Sequence, residues 1–161
     1  MIENMWVIDF ESSGLHRSSY PIEVGMTNGQ QEYQALISPM AHWAYWSDEA
    51  QQIHGISRGE LSLNGRPSAD VANELNNILN GDVVYCDAIA WDGFWARVLF
   101  SDNGIRQKFD LCDISDLIIG NELLAETFIN IRQKLIDSGD YKLHRALDDA
   151  RLLKAALNDV I

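Results

Sequence analysis

The order of the apolar segments constrains the fold more than any other feature of this chain. Short runs rich in β-branched and aromatic residues occupy positions 5–10, 21–27 and 31–37, and each has the length of a strand. Asn28 and Gly29 stand between the last two runs, and both residue types tolerate the positive φ angles of a hairpin turn. The chain therefore begins with a predicted antiparallel meander of three strands.

Beyond the meander, strand-like and helical patterns alternate. Two more strands are predicted at 83–86 and 108–112. Apolar residues at helical spacing predict helices at 68–80, 91–100, 114–119, 122–136 and 145–158. The irregular stretch 38–65 contains one short helical segment with Ser47 as its predicted cap, and Ser68 is the predicted cap of the following helix. A meander followed by strand–helix units predicts an α/β fold in which helices flank a mixed sheet.

Length and composition limit the class of protein. The 161 residues, 47% of them hydrophobic and 22% charged, predict a single folded domain over 1–161 and argue against wholesale disorder. The two cysteines form no C-x-x-C pair, which speaks against a zinc or redox motif. We find neither a signal peptide nor an apolar run of membrane-spanning length, so we expect a cytoplasmic protein with no membrane partner.

The net charge of −12 limits the partners. Proteins that grip a long duplex present a basic surface to the phosphates, and this chain cannot do so over its whole surface. Clustered carboxylates are, in contrast, the groups that hard divalent cations bind. We expect most of the charge to keep the protein soluble and part of it to serve a metal site.

Two carboxylates stand at the end of the first predicted strand. Asp9 and Glu11 are two residues apart, so their side chains share one face of the sheet if the strand extends that far. Such a pair repels itself and costs free energy on burial unless a cation compensates for it. The alternative is that Glu11 already lies in a solvated loop and that Asp9 caps a turn. The pair alone does not decide between the two.

Two further carboxylates and a histidine stand beside apolar segments. Asp92 follows the strand at 83–86, and Asp149 falls on the apolar face of the last helix, whereas Asp148 points outward. Four carboxylates from three elements predict a site for two divalent ions, Mg²⁺ or Mn²⁺, that hydrolyses a phosphodiester bond. His144, five residues before Asp149, is the candidate general base, although a histidine at a helix start is more often a polar cap.

These residues resemble the motifs of a known family, the DEDDh 3′→5′ exonucleases, which include RNase T and the proofreading subunit of bacterial DNA polymerase III. The run Asp9-Phe10-Glu11-Ser12-Ser13-Gly14-Leu15 is similar to the family's D-x-E-T-T-G-L, with serines in place of threonines. The run His144-Arg145-Ala146-Leu147-Asp148-Asp149-Ala150 is similar to H-x-A-L-x-D-A. The segment 52–56 resembles a further family segment, and the ordered set spans nearly the whole chain.

The second motif of the family is matched less closely. The family has an asparagine, two small residues, an aromatic residue and then the catalytic aspartate, whereas this chain has Cys-Asp-Ala-Ile-Ala-Trp-Asp at 86–92. We assign Asp92, which follows the aromatic Trp91, as the metal ligand. Asp87 is the competing candidate, and the sequence leaves open whether it supports or replaces Asp92.

The resemblance implies a fold and a set of metal ligands. The fold would be RNase H-like, with a five-stranded mixed sheet made of the antiparallel meander and parallel strands. Asp9, Glu11 and Asp149 would hold one divalent ion, and Asp9 with Asp92 would hold the second. His144 would be the general base.

The resemblance also implies how substrate is held. The residues that would meet the terminal nucleotide are Ser12, Ser13, Gly14 and Leu15, with Leu15 wedged against the last base. His54 is a weaker candidate for a substrate contact, and a structural role in its loop is an equal alternative. The expected substrates are 3′ ends of single-stranded DNA or RNA, or short oligonucleotides.

Two other functions stay open on the sequence alone. A proofreading or accessory subunit would use the same chemistry inside a larger complex and would show an exposed apolar patch. A catalytically inactive nucleic-acid-binding module would show Asp92 turned away from the other carboxylates. The sequence decides neither the preferred sugar nor the oligomeric state, and a homodimer is one of the open assemblies.

Overall fold

A six-stranded mixed sheet forms the centre of the fold. The computed structural model describes residues 2–161. Its strands are β1 (Trp6–Ser12), β2 (Pro21–Thr27), β3 (Glu32–Ser38), β4 (Arg66–Pro67), β5 (Val83–Cys86) and β6 (Asp110–Asp113). They lie side by side in the order β4-β3-β2-β1-β5-β6. Neighbours among β1, β2 and β3 are antiparallel, whereas β5 is parallel to both β1 and β6, and β4 is parallel to β3.

Helices connect these strands and cover both faces of the sheet. They are α1 (Asp48–His54), α2 (Arg58–Asn64), α3 (Ser68–Leu79), α4 (Ile89–Asp102), α5 (Ser115–Ile118), α6 (Glu122–Asp137) and α7 (Ala146–Val160). A 3-10 turn at Ile2–Asn4 precedes β1. Throughout residues 2–161, each helix is too short or too polar to cross a lipid bilayer.

The predicted α/β class, the antiparallel meander and the flanking helices are confirmed, with differences in detail. The sheet has one strand more than predicted, because β4 consists of two residues and shows no alternation that a sequence pattern would reveal. The stretch 38–65 forms two short helices where we predicted one. Ser47 caps α1 as predicted, since its hydroxyl accepts a 3.2 Å hydrogen bond from the Ala50 amide, and Ser57 caps α2.

The predicted cap of α3 was wrong. Ser68 lies inside the helix, directly after Pro67, and its hydroxyl accepts a 3.0 Å hydrogen bond from Asn103. Pro67 still pairs with Ser38 of β3, so the chain stays extended up to the residue before Ser68 and turns into the helix without a side-chain cap. Tertiary pairing of β4 therefore sets this helix boundary.

Alternation along β1 separates the two faces of the sheet. Trp6, Ile8 and Phe10 belong to the larger core, which includes residues of α3 and α4. Val7 belongs to a smaller core on the other face, formed with residues of α6 and α7. Asp9 and Glu11 follow Val7 at intervals of two, so they point to the face that α7 covers.

Candidate active site

Three carboxylates meet where the end of β1 approaches the first turn of α7. Asp9 and Glu11 belong to β1, and Asp149 belongs to α7. One oxygen atom of each lies within 4.8 Å of the others, a spacing at which a single metal ion can be shared. The structure thus brings together three of the four carboxylates that the sequence singled out.

The surroundings of these carboxylates oppose their ionisation. The Oδ2 atom of Asp9 is enclosed and accepts no hydrogen bond from the described residues. Burial raises the pKa of Asp9 well above its usual value, and the negative charges of Asp92, Glu11 and Asp149 raise it further. Burial and the charge of Asp149 raise the pKa of Glu11 to about 8. Without a cation the cluster therefore retains protons near neutral pH, and a divalent ion is the partner that its oxygen atoms fit.

Asp92 reaches the site from the opposite face of the sheet. It lies in the first turn of α4, is 2% exposed, and its Oδ1 atom accepts a 3.2 Å hydrogen bond from the backbone N–H of Phe10. Burial raises the pKa of Asp92 to about 7, although the hydrogen bond from Phe10 opposes this. Its charge acts on Asp9, whereas the charges that act on Glu11 are those of Asp149 and Glu23. Asp9 therefore interacts both with Asp92 and with the cluster of Glu11 and Asp149.

Asp87 occupies a different position from Asp92. Its carboxylate forms an ion pair with Arg132 of α6. Both side chains line a cleft of about 410 Å³ together with Asp9, Glu11 and Asp149. Of the two aspartates that follow β5, Asp92 is the one that contacts the backbone of β1 between Asp9 and Glu11.

His144 lines the same cleft and has an uncommon backbone conformation. Its φ angle is +63°, and within residues 2–161 no other residue besides glycine has a positive φ. This left-handed region is costly for most L-residues, but histidine is several-fold enriched there. The backbone N–H of His144 donates a 3.1 Å hydrogen bond to Oδ1 of Asp149, and the residue is exposed. The loop before α7 thus places an imidazole next to a candidate metal ligand.

Glu23 of β2 holds the start of α7 in place. Arg145 precedes the helix and provides no side-chain cap. Glu23, which is buried, accepts a 2.9 Å hydrogen bond from the backbone N–H of Ala146 and two from the Arg145 guanidinium, at 2.7 and 3.1 Å. Glu23 pairs with Glu11 across the β1–β2 ladder, so this anchor ties α7 to the strand that carries the site. In the sequence, Glu23 is marked as a single carboxylate among the apolar residues of its strand.

Gly25 allows the backbone of α7 to pack directly against the backbone of β2. A Cβ atom at this position would lie 2.2 Å from the backbone nitrogen of Leu147 and 2.4 Å from its Cα atom. Gly25 is also the register partner of Asp9 in the β1–β2 ladder. The first turn of α7 therefore rests directly on the strand beside Asp9, and this close packing brings Asp149 to Asp9 and Glu11.

The loop after β1 is held by its own hydrogen bonds. The Ser12 hydroxyl accepts a 3.2 Å bond from the Gly14 N–H and donates a 3.0 Å bond to the Gly14 carbonyl. The Ser13 hydroxyl accepts a 3.1 Å bond from the N–H of Tyr20. Both serines and Gly14 are buried, whereas Leu15 is 71% exposed. Of the four residues that we expected to meet the terminal nucleotide, Leu15 alone presents its side chain to solvent, and the serines shape the loop.

His54 lies behind this loop. The residue is 5% exposed, and its Nδ1 atom accepts a 3.0 Å hydrogen bond from the N–H of Ile56. Its Nε2 atom is enclosed and makes no hydrogen bond of normal geometry with the described residues. Burial lowers the pKa of His54, and the adjacent backbone of Ser12 partly offsets this effect. The ring therefore supports the loop from inside, which corresponds to the structural alternative that the sequence left open.

Known proteins share both the sequence pattern and the fold. A family model described as an exonuclease of the RNase T type matches residues 6–157. Among curated proteins, none is significantly similar in sequence. Exonuclease I of E. coli in complex with a dT13 oligonucleotide superposes with a TM-score of 0.74 at 15% identity, over 97% of this chain and 40% of that chain.

Two further solved structures have a similar fold. The zinc-bound form of the E. coli Exonuclease I–ssDNA complex has a TM-score of 0.72 at 15% identity, over 97% of this chain and 39% of that chain. Exonuclease I of Methylocaldum szegediense has a TM-score of 0.72 at 17% identity, over 94% of this chain and 38% of that chain. The chain thus spans about two fifths of the length of these proteins, and at this identity the likeness shows a shared fold.

The family match covers almost the entire chain, and the carboxylates of its first and last motifs meet in one cleft. This chain therefore belongs to the RNase T family of exonucleases, as the resemblance of its motifs predicted.

Proposed function

We propose that this protein removes nucleotides from the 3′ end of single-stranded nucleic acid, with single-stranded DNA as the first candidate. Hydrolysis would use two divalent ions and His144 as general base. The observation that carries the proposal is the cluster of Asp9, Glu11 and Asp149 in a cleft that His144 also lines. The similar Exonuclease I structures contain a dT13 oligonucleotide in one case, and zinc with single-stranded DNA in another.

The carboxylates fit divalent ions in both number and environment. Asp9, Glu11 and Asp149 would hold one ion, and Asp9 with Asp92 would hold the second. Carboxylates whose pKa is raised by burial and by each other gain most from a bound cation, and oxygen ligands favour Mg²⁺ or Mn²⁺ over softer metals. When bound, such ions supply an activated water molecule and stabilise the charge on the departing 3′-oxygen.

The remaining roles belong to side chains around this cluster. His144 would take the proton of the attacking water, and its backbone N–H, which donates a hydrogen bond to Asp149, would hold the residue next to that carboxylate. The exposed side chain of Leu15 would pack against the last base. The buried hydroxyls of Ser12 and Ser13 would keep the shape of the loop that, together with Gly14, meets the terminal nucleotide, and His54 would support this loop from behind.

A time course on labelled strands tests this function. With 5′-labelled single-stranded DNA or RNA in Mg²⁺ or Mn²⁺, we expect a ladder that shortens progressively and stops on addition of EDTA. A 3′-labelled strand should lose its label in the first step, which distinguishes attack at the 3′ end from attack at the 5′ end. Folded, metal-loaded protein that degrades neither polymer would contradict the proposal, and degradation of one polymer alone would identify the sugar.

Replacing Gly25 by alanine should impair both stability and activity. The added methyl group overlaps the backbone of Leu147, so α7 has to move away from β2 and carries Asp149 and His144 with it. We expect the free energy of unfolding to fall by about 1–3 kcal/mol. The rate of strand shortening should fall by about 10²-fold, since small displacements of reacting groups have effects of this size. Urea unfolding and the time course described above measure the two effects.

Gly59→Ala is the matched control. Gly59 lies within α2, and a Cβ atom there would meet only the Ser57 hydroxyl, at 3.8 Å. Alanine inside a helix is favoured over glycine, so this variant should be at least as stable as the wild type and equally active. If Gly25→Ala behaved like Gly59→Ala, the close approach of α7 to β2 would not position the site.

A further inference from the structure

An ion pair links the loop after β5 to α6 within the cleft. Arg132 of α6 donates a hydrogen bond to Oδ2 of Asp87, and the two side chains are 34% and 35% exposed. Both residues line the cleft that contains the carboxylate cluster. The proposed hydrolysis uses neither of them, and Arg132 belongs to none of the sequence motifs identified above.

Arg132 is the one arginine or lysine among the described residues that line this cleft, beside four carboxylates. The chain carries a net charge of −12, so a strand of phosphates meets repulsion from much of the surface. The guanidinium therefore shares the cleft with the carboxylate cluster of Asp9, Glu11 and Asp149.

The guanidinium also has donors suited to a second partner. Arginine offers five N–H donors in a planar fork, and the hydrogen bond to Asp87 uses one of them. The fork matches the oxygen atoms of a phosphate, to which arginine donates short, charge-assisted hydrogen bonds. The partial exposure of Arg132 leaves it accessible from the cleft.

We propose that Arg132 binds a backbone phosphate of the strand in the cleft and that Asp87 is the positioning residue that orients the guanidinium for it. This inference rests on the proposed function, because it assigns a substrate contact within the same site. It also gives Asp87 a role distinct from that of Asp92.

The first test compares Arg132→Gln with the double variant Arg132→Gln/Asp87→Asn on a 5′-labelled oligothymidylate. We expect KM to rise about 10-fold or more in both, with kcat changed less than about 3-fold, since a lost charge-assisted hydrogen bond to bound substrate has this effect. The double variant matters because Arg132→Gln alone leaves Asp87 unpaired in the cleft. Wild-type KM in the double variant, or in Arg132→Gln, would overturn the proposal.

Lys134→Gln is the charge-matched control. Lys134 is exposed on the same helix and does not line the cleft, so its loss should leave KM within about 2-fold of the wild type. An equal rise in KM for Lys134→Gln would mean that Arg132 acts through the overall charge of α6, which contradicts a specific contact.

The second test uses binding, which separates this inference from the proposed function. Fluorescence anisotropy measures Kd for oligothymidylates in which single phosphates are replaced by neutral methylphosphonates. A methylphosphonate at one particular linkage should raise Kd for the wild type but should not raise Kd for Arg132→Gln any further. If no linkage behaves in this way, the inference is overturned. Wild-type protein that binds the oligonucleotide without shortening it refutes the proposed function alone. Protein that does not bind at all overturns both.

Discussion

Replacing Asp9 by asparagine is expected to abolish strand shortening and, in metal-free solution at pH 8, to stabilise the folded protein. The rate should fall by about 10³-fold or more, because the carboxylate assigned to both ions loses its charge while its shape is kept. The gain in stability distinguishes this variant from an ordinary damaging substitution, which lowers activity and stability together.

The gain in stability follows from the raised pKa of Asp9. Burial and the neighbouring charges favour the protonated form in the folded state, whereas the unfolded chain ionises at the usual value. At pH values between the pKa of Asp9 in the unfolded chain and its pKa in the folded protein, the folded state binds more protons than the unfolded state. The free energy of unfolding of the wild type therefore falls as pH rises through this range. Asparagine has no proton to lose. The difference between variant and wild type should therefore be small at pH 4 and reach about 1–3 kcal/mol at pH 8.

Urea unfolding in EDTA at several pH values measures this difference. Asp110→Asn removes a charge from an exposed position at the start of β6 and should not reproduce the pH-dependent gain. Adding Mn²⁺ at pH 8 should make the wild type more stable than the asparagine variant, because metal binding stabilises the wild type more than the variant. An asparagine variant that is less stable than the wild type at every pH, or equal stabilisation of both proteins by Mn²⁺, would contradict the assignment of Asp9 as a metal ligand.

Replacing His144 by asparagine should lower kcat by about 10²–10⁴-fold with little change in KM, the effect of removing a general base. Asparagine tolerates the left-handed conformation seen at +63°, and its backbone N–H still reaches Asp149, so the loop keeps its shape. Steady-state rates measured over a range of substrate concentrations give both kinetic parameters.

His144→Ala provides the comparison for this substitution. Alanine also lacks the imidazole but is disfavoured in the left-handed region. This variant should therefore show the same fall in kcat and should also lose about 1–2 kcal/mol in the free energy of unfolding. Equal kcat in the two variants, despite their different stabilities, would assign the rate loss to the imidazole. An asparagine variant that keeps kcat within about 10-fold of the wild type would exclude His144 as the base.

Much of the architecture was readable from local patterns in the chain. The limits of β2 and β5 agree with the predicted positions, and the Asn28-Gly29 turn joins β2 to β3. These elements obey rules of short range, because alternation and turn chemistry are properties of a few consecutive residues. The two-residue strand β4 was missed for the same reason, since it is too short to show a period. The second short helix α2 was missed although it is as long as α1 and begins with a serine cap of its own, Ser57.

The choice between Asp87 and Asp92 shows where local reasoning ends. Both aspartates follow β5 and both stand near apolar residues, so the sequence, which assigned Asp92 as the ligand, left open whether Asp87 supports or replaces it. The structure separates them through partners that are distant in the chain. Asp92 accepts a hydrogen bond from Phe10, 82 residues away, and Asp87 pairs with Arg132, 45 residues away.

By itself, the sequence determined the fold class, the meander and the chemical identity of the candidate site, because Asp9-x-Glu11 and His144 to Asp149 are short, ordered patterns. Only the tertiary structure decided how these patterns meet. Gly25 admits the backbone of α7, Glu23 anchors its start, and Arg132 enters the cleft from α6. The physical reason is that such contacts join residues far apart in sequence, and their energies depend on packing and burial that no local period records.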